Sequence, residues 1–264
     1  GGDAVLDIVA SGSAVLTAAN GVGTGVLGAL ETSVGRLDVT TGAGDVALAD
    51  SADLVLGTLD VQGDLTVTAI GNISDAAGTT VDVTGVASFD AGGAVAGTND
   101  VILDNAGHGF AALLVTQSGD VTIVDENALE LRGISAGGAI DITASGDVTQ
   151  AVGTSLTAVG LSVTTISAAG ADIVLSEINQ ASTVDLAATT DGVAGATAVV
   201  SYTDADGFDV ARILTSGAAG SLVRVTAGGA VTQQDAAANA VVSSELRLSG
   251  ACLLYTSPSP RDPL

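Results

Sequence analysis

His108 is the one side chain in the sequence suited to moving a proton near neutral pH, and it stands between two glycines in Gly107-His108-Gly109. A histidine working as an acid or base on a sugar would need carboxylates beside it, and Asp100 and Asp104 are the nearest in the chain. Calcium chemistry has a second candidate in Asp204-Ala-Asp-Gly-Phe-Asp209, where Asp204, Asp206 and Asp209 supply the oxygen density such an ion requires. That run lacks both the twelve-residue spacing and the closing glutamate of an EF-hand, and no Gly-Gly-x-Gly-x-Asp nonapeptide occurs. The bland reading of these residues is a histidine in a turn and aspartates at solvated corners. No residue is assigned a catalytic role.

The elements that would position these groups are written in repeats. Gly63-Asp-Leu-Thr-Val-Thr-Ala69 returns as Gly138-Ala-Ile-Asp-Ile-Thr-Ala144 and as Ser221-Leu-Val-Arg-Val-Thr-Ala227, with starts 75 and 83 residues apart. A shorter period lies inside the long one. Strand phrases opening at Asp45, Asp64, Asp82, Asp100, Asp120 and Ala139 follow one another at 18 to 20 residues, with apolar residues at alternate positions. That spacing leaves no room for crossover helices and predicts an all-β, right-handed parallel β-helix (a β-solenoid) of about 19 residues per coil. About 250 residues would then make about 13 coils, roughly 60 Å long at about 4.8 Å each. Stacked Val, Ile, Leu and Ala fill such a core, glycine supplies positive φ at corners, and aspartate bonds its own backbone in the turns.

Composition narrows the function classes. The formal charge is −24 and lysine is absent, so the basic patches that nucleic acid or anionic lipid would need are missing. Apolar residues are 47% of the chain but alternate with polar ones, so no segment is predicted to insert in a membrane. Phe89, Phe110, Tyr202 and Phe208 read as core or corner fillers rather than sugar-stacking platforms. Arg132, Arg212, Arg224 and Arg247 read as partners of neighbouring acids on the outer face, each pair worth about 0–1 kcal/mol. The uneven strand spacing from Val184 to Leu222 marks the stretch where a binding loop would sit.

The last residues follow another grammar. Cys252-Leu-Leu-Tyr-Thr-Ser-Pro-Ser-Pro-Arg-Asp262 resembles a translated sequencing-library adapter, and all three prolines and the single cysteine fall within 252–264. The division is therefore a solenoid array over 1–251, read as a fragment without caps, and a non-native, disordered tail over 252–264. Residues 1–251 then contain no cysteine, which suits a chain exported unfolded.

The phrases Gly63–Ala69, Ala144-Ser-Gly-Asp-Val-Thr-Gln150, Thr226–Gln233 and Asp120–Leu129 resemble the repeats of filamentous-haemagglutinin-like bacterial surface adhesins. The resemblance implies an extracellular or cell-surface location, export through an outer-membrane transporter, and a role in adhesion or biofilm with glycans or proteins of a host or surface as partners. It assigns no cofactor. The Gly-His-Gly is also similar to one motif of polygalacturonase-type β-helices, but their Asp-Asp pair is absent and Arg212-Ile213-Leu214 stands where an Arg-Ile-Lys would be needed. Three readings follow: a non-catalytic adhesin rod, a polysaccharide-active β-helix using His108 with Asp100 and Asp104, and a calcium-stiffened surface module.

Overall fold

The computed structural model describes residues 6–23, 28–92, 97–189, 195–216, 218–233 and 241–250. All of its regular structure is β-strand, and every strand pairing is parallel. The tail 252–264, with Cys252 and the adapter-like run, lies outside the described residues, as do the chain's first five residues.

Parallel pairing follows from one strand lying over its counterpart a full coil later. Leu54, Ile73, Val101, Val121, Ile140, Leu161, Val184, Val210 and Gln233 are successive partners in one stack, at steps of 19, 28, 20, 19, 21, 23, 26 and 23 residues. The β-solenoid reading holds, but the coil is longer than the strand phrases predict: about 23 residues, in about ten turns rather than 13. At about 4.8 Å per coil the array is roughly 48 Å long rather than 60 Å. Spacing misled because similar phrases sit on different sides of a coil. Asp64 is stacked under Val86 and not under Asp82, which opens a strand in the separate stack of Leu59 and Val81.

The long repeat shows the same offset. From Leu65 the chain makes three coils, through Ala87 and Leu113 to Leu131, and only nine residues later reaches the equivalent Ile140. From Ile140 it again makes three coils, to Val210, and then thirteen residues bring it to Val223. Sequence-equivalent strands therefore do not lie on top of one another. Each copy is displaced by a fraction of a turn.

Inward positions are filled by Val, Leu, Ile and Ala in one continuous core. Phe89 and Phe110 meet edge-to-face at 6.2 Å inside it, and Tyr202 meets Phe208 the same way at 5.1 Å, so the aromatics are core fillers as the sequence predicts.

Corners depart from the local-turn reading. Asp45 Oδ1 accepts the Asp64 N–H at 2.9 Å, Asp53 Oδ1 that of Asn72 at 2.7 Å, Asn72 Oδ1 that of Asp100 at 2.8 Å, and Asp100 Oδ1 that of Asp120 at 2.8 Å. Asp120 Oδ1 continues the series by accepting the Ala139 N–H at 2.7 Å. These side chains bridge coils and satisfy a backbone donor that no strand ladder reaches. Where a glycine precedes the donor, at Gly63, Gly71, Gly119 and Gly138, it sits directly over the carboxylate below. A Cβ at Gly63 would lie 2.5 Å from Asp45 Oδ1, and one at Gly119 would lie 2.5 Å from Asp100 Oδ1. Gly-Asp is thus chosen for close approach between coils, since neither glycine has positive φ. Positive φ occurs at other turns, such as Gly78 (75°) and Gly153 (78°), and at Gly44 (83°) ahead of Asp45.

Candidate functional site

His108 points into the solenoid and is completely buried. Its Nδ1 accepts the Val81 N–H at 2.9 Å, which leaves the proton on Nε2 to be donated to Asp75 Oδ2 at 2.8 Å. Asn105 braces the pair: its N–H reaches Asp75 Oδ2 at 3.0 Å, and its side-chain amide donates to the Ala76 carbonyl at 2.6 Å. Both ring nitrogens are therefore used by the protein itself. Asp104 is exposed, and Asp100 spends Oδ1 on the corner ladder, so neither joins His108. The acid that does is Asp75, from the coil beneath.

The second repeat contains the same plug in neutral form. Seventy-five residues after Asp75 and Val81 stand Gln150 and Leu156, and there Asn179 Oδ1 accepts the Leu156 N–H at 2.8 Å and the Gln150 amide at 2.7 Å. The turns under the two plugs match as well. Thr79 Oγ1 donates to the Ala76 carbonyl at 2.7 Å and Thr154 Oγ1 to the Ala151 carbonyl at 2.7 Å. An imidazole–carboxylate pair and an amide–amide pair do one job, which is to cap a buried backbone donor. Asp75-Ala-Ala-Gly-Thr-Thr-Val81 and Gln150-Ala-Val-Gly-Thr-Ser-Leu156 align in the sequence, and that alignment is the available signal for Asp75 and Gln150; Asn179, 71 residues after His108, lies off the 75-residue offset.

Asp204, Asp206 and Asp209 do not converge. Asp204 is buried, with Oδ2 accepting the Tyr202 hydroxyl at 2.8 Å and the Ala181 N–H at 3.3 Å, while Oδ1 takes the Asp206 N–H at 3.2 Å. Asp206 is exposed and bonds the Gly207 N–H, and Asp209 is exposed and meets the Thr232 hydroxyl. Among the described residues no three His, Cys, Asp or Glu side chains are placed to hold a metal ion. Asp204 and Asp206 are thus spent on a corner, and Asp209 on a strand hydroxyl.

Asp204 belongs to a set. Asp50, Asp125 and Asp204 are buried at strand ends, each taking the N–H two residues on and a donor from the neighbouring coil. In each case the next coil places an alanine over the acid: Ala69, Ala144 and Ala227. Two carboxylates so stacked would repel by about 3 kcal/mol at an effective dielectric of about 20, so each of these buried strand-end acids is matched by a neutral residue in the next coil.

Burial pushes the Asp125 carboxyl above its ordinary value, and burial does the same to Asp204 against the opposing hydrogen bond from Tyr202. Tyr202 is raised too, by burial first and then by the charge of Asp204. A raised acid holds its proton more firmly in the folded chain than in the unfolded one. That contribution is complete below the unfolded value of 3.8 and is lost as pH climbs through the raised folded values. The melting temperature is therefore expected to fall as pH rises from about 4 towards neutrality, and to fall less steeply in the Asp125→Asn, Asp204→Asn double variant. Thermal melts followed by circular dichroism check it, and equal slopes would refute the assignment.

On the outside, a groove of about 880 Å³ runs across five successive coils, with Thr66, Ser88, Leu114, Arg132 and Gln150 along it. Arg132 Nε donates to Glu130 Oε1 at 2.6 Å. Arg212 with Asp185 and Arg247 with Glu245 make similar exposed pairs, in keeping with the sequence reading, and so does Arg36 with Asp38, whereas Arg224 makes no ion pair among the described residues.

Fold and corners together define a repeat-built parallel β-solenoid whose coils are fastened by aspartate bridges outside and polar plugs inside. The chain belongs to the family described as repeats of unknown function (DUF5649), which it matches over residues 43–117 and again over 118–188. Both matches open just ahead of a Gly-Asp corner, Gly44-Asp45 and Gly119-Asp120. No curated protein and no solved structure shows significant similarity to the chain. Among the described residues no helix is long and apolar enough to cross a membrane.

Proposed function

We propose that this solenoid is a non-catalytic rod segment of a secreted or cell-surface adhesin, carrying binding surfaces away from a bacterial envelope and supporting attachment or biofilm. The observation that carries this reading is the continuous fastening of coil to coil, in which the side chains best suited to chemistry, His108 and the buried aspartates, are consumed as backbone caps. A charge of −24 keeps such a surface soluble and repels nucleic acid. Export would use an outer-membrane transporter. The polysaccharide-active alternative loses support because His108 is sealed inside, and the calcium-stiffened alternative because Asp204 faces inward. Antibody labelling of intact source cells tests the proposal: labelling that is lost on external protease treatment is expected, and an epitope reached only after lysis would overturn it.

A further inference from the structure

The groove across the outer face offers chemistry that the coil fastenings leave unspent. Arg132 commits Nε to Glu130, and its two terminal nitrogens have no protein partner among the described residues. Glu130 keeps Oε2, and Asp64, whose Oδ1 caps the Val86 N–H, keeps Oδ2. Thr66 and Ser88 add hydroxyls from adjacent coils. Interleaved with them are aliphatic surfaces, and Val152 overhangs the groove from its turn at 90% exposure, more than any other large apolar side chain described.

Each class of occupant can be weighed against this surface. A polyanion is repelled by the net charge of −24 and by two carboxylates in the groove against one guanidinium. An extended peptide added as a strand needs a free backbone edge, whereas this is the outer face of a sheet whose backbone groups are paired between coils. A flat apolar ligand would strand the charged groups without partners. A sugar ring, by contrast, presents hydroxyls that both donate and accept beside aliphatic C–H surface. Carboxylate acceptors next to guanidinium donors, with Val86, Leu114 and Val152 between, match that pattern.

We propose that the groove binds a neutral, hydroxyl-rich glycan chain lying along the solenoid axis, with Arg132, Glu130 and Asp64 as its polar contacts. This deepens the adhesin reading and rests on it for biological sense, though not for its geometry. The groove crosses four coil spacings, about 19 Å at about 4.8 Å each, so several rings are engaged at once. Affinity should grow with chain length before reaching a plateau.

Saturation-transfer NMR and calorimetry on the full chain, with malto-, cello-, manno- and xylo-oligosaccharides of two to eight rings, provide the test. Binding in the millimolar range or tighter is expected for at least one series, rising with ring number. Arg132→Ala should weaken it at least tenfold, and Val152→Ala should weaken it about threefold. Arg212→Ala removes a similar ion pair outside the groove and should leave binding unchanged. Circular dichroism melts confirm that the variants fold, since the exposed pair contributes little to stability. No binding by any series, or binding that Arg132→Ala leaves intact, overturns the groove as a glycan site. Either result leaves the rod proposal standing, because surface labelling of cells tests that separately.

Discussion

Replacing His108 with alanine is expected to destabilise the solenoid by about 3–5 kcal/mol, the range for breaking one partner out of a buried pair. The loss has two sources: the Val81 N–H keeps no acceptor, and Asp75 keeps a carboxylate in the interior that loses its imidazole donor and retains only the Asn105 N–H. If His108 were a solvated turn residue, the change would be nearly silent. The repeat supplies its own rescue. Asp75→Gln with His108→Asn installs the pair that the second copy uses, Gln150 with Asn179, and should recover at least about 2 kcal/mol relative to His108→Ala, because both buried groups regain partners. Urea unfolding of the three proteins measures this. A double variant no more stable than His108→Ala would mean that the two plugs are not equivalent.

That pair also shows where sequence reading reaches and where it stops. Alternation in Leu65-Thr-Val-Thr-Ala69 is local, and so the inward residues and the parallel, helix-free class are legible from it. Coil length is not local. The phrase at Asp82 has the composition of the phrases at Asp64 and Asp100, yet it occupies another stack, and only pairing reveals this. Aspartate in a turn predicts a bond to its own backbone, and Asp125 makes one to Asn127. Its second bond, to Phe110 fifteen residues earlier, depends on which coil lies beneath. His108 carries no local mark of burial, because glycines on both sides read as a surface turn. Its role emerges only when Val81 and Leu156 are compared as equivalent donors.

The Gly-Asp corners yield the second large effect. In Gly138→Ala the new Cβ overlaps Asp120 Oδ1, while the nearest backbone atom, Gly119 O, stays at 3.4 Å. The collision is thus with a side chain that is itself anchored, because Asp120 Oδ1 holds the Ala139 N–H at 2.7 Å. Relief requires that carboxylate to swing away and release its donor. Gly138→Ala alone should cost about 2–3 kcal/mol, in the range for overpacking a fitted site. Asp120→Ala alone should cost only about 0.5–1 kcal/mol, the net value of one hydrogen bond, because Ala139 is exposed and water can replace the lost acceptor. With Asp120 shortened, the space above it opens, so Gly138→Ala on that background should be nearly free and the double variant more stable than Gly138→Ala by at least about 1 kcal/mol. A double-mutant cycle in urea reads the coupling directly. Strict additivity would show that the glycine is there for some reason other than the carboxylate beneath it. Strong coupling would extend from this corner to Gly119 over Asp100, where the carboxylate is again the nearest atom, whereas at Gly63 the Gly44 backbone also lies 2.7 Å from the new Cβ and would limit the rescue. The recurring Gly-Asp would then be a rule for stacking one coil on the next.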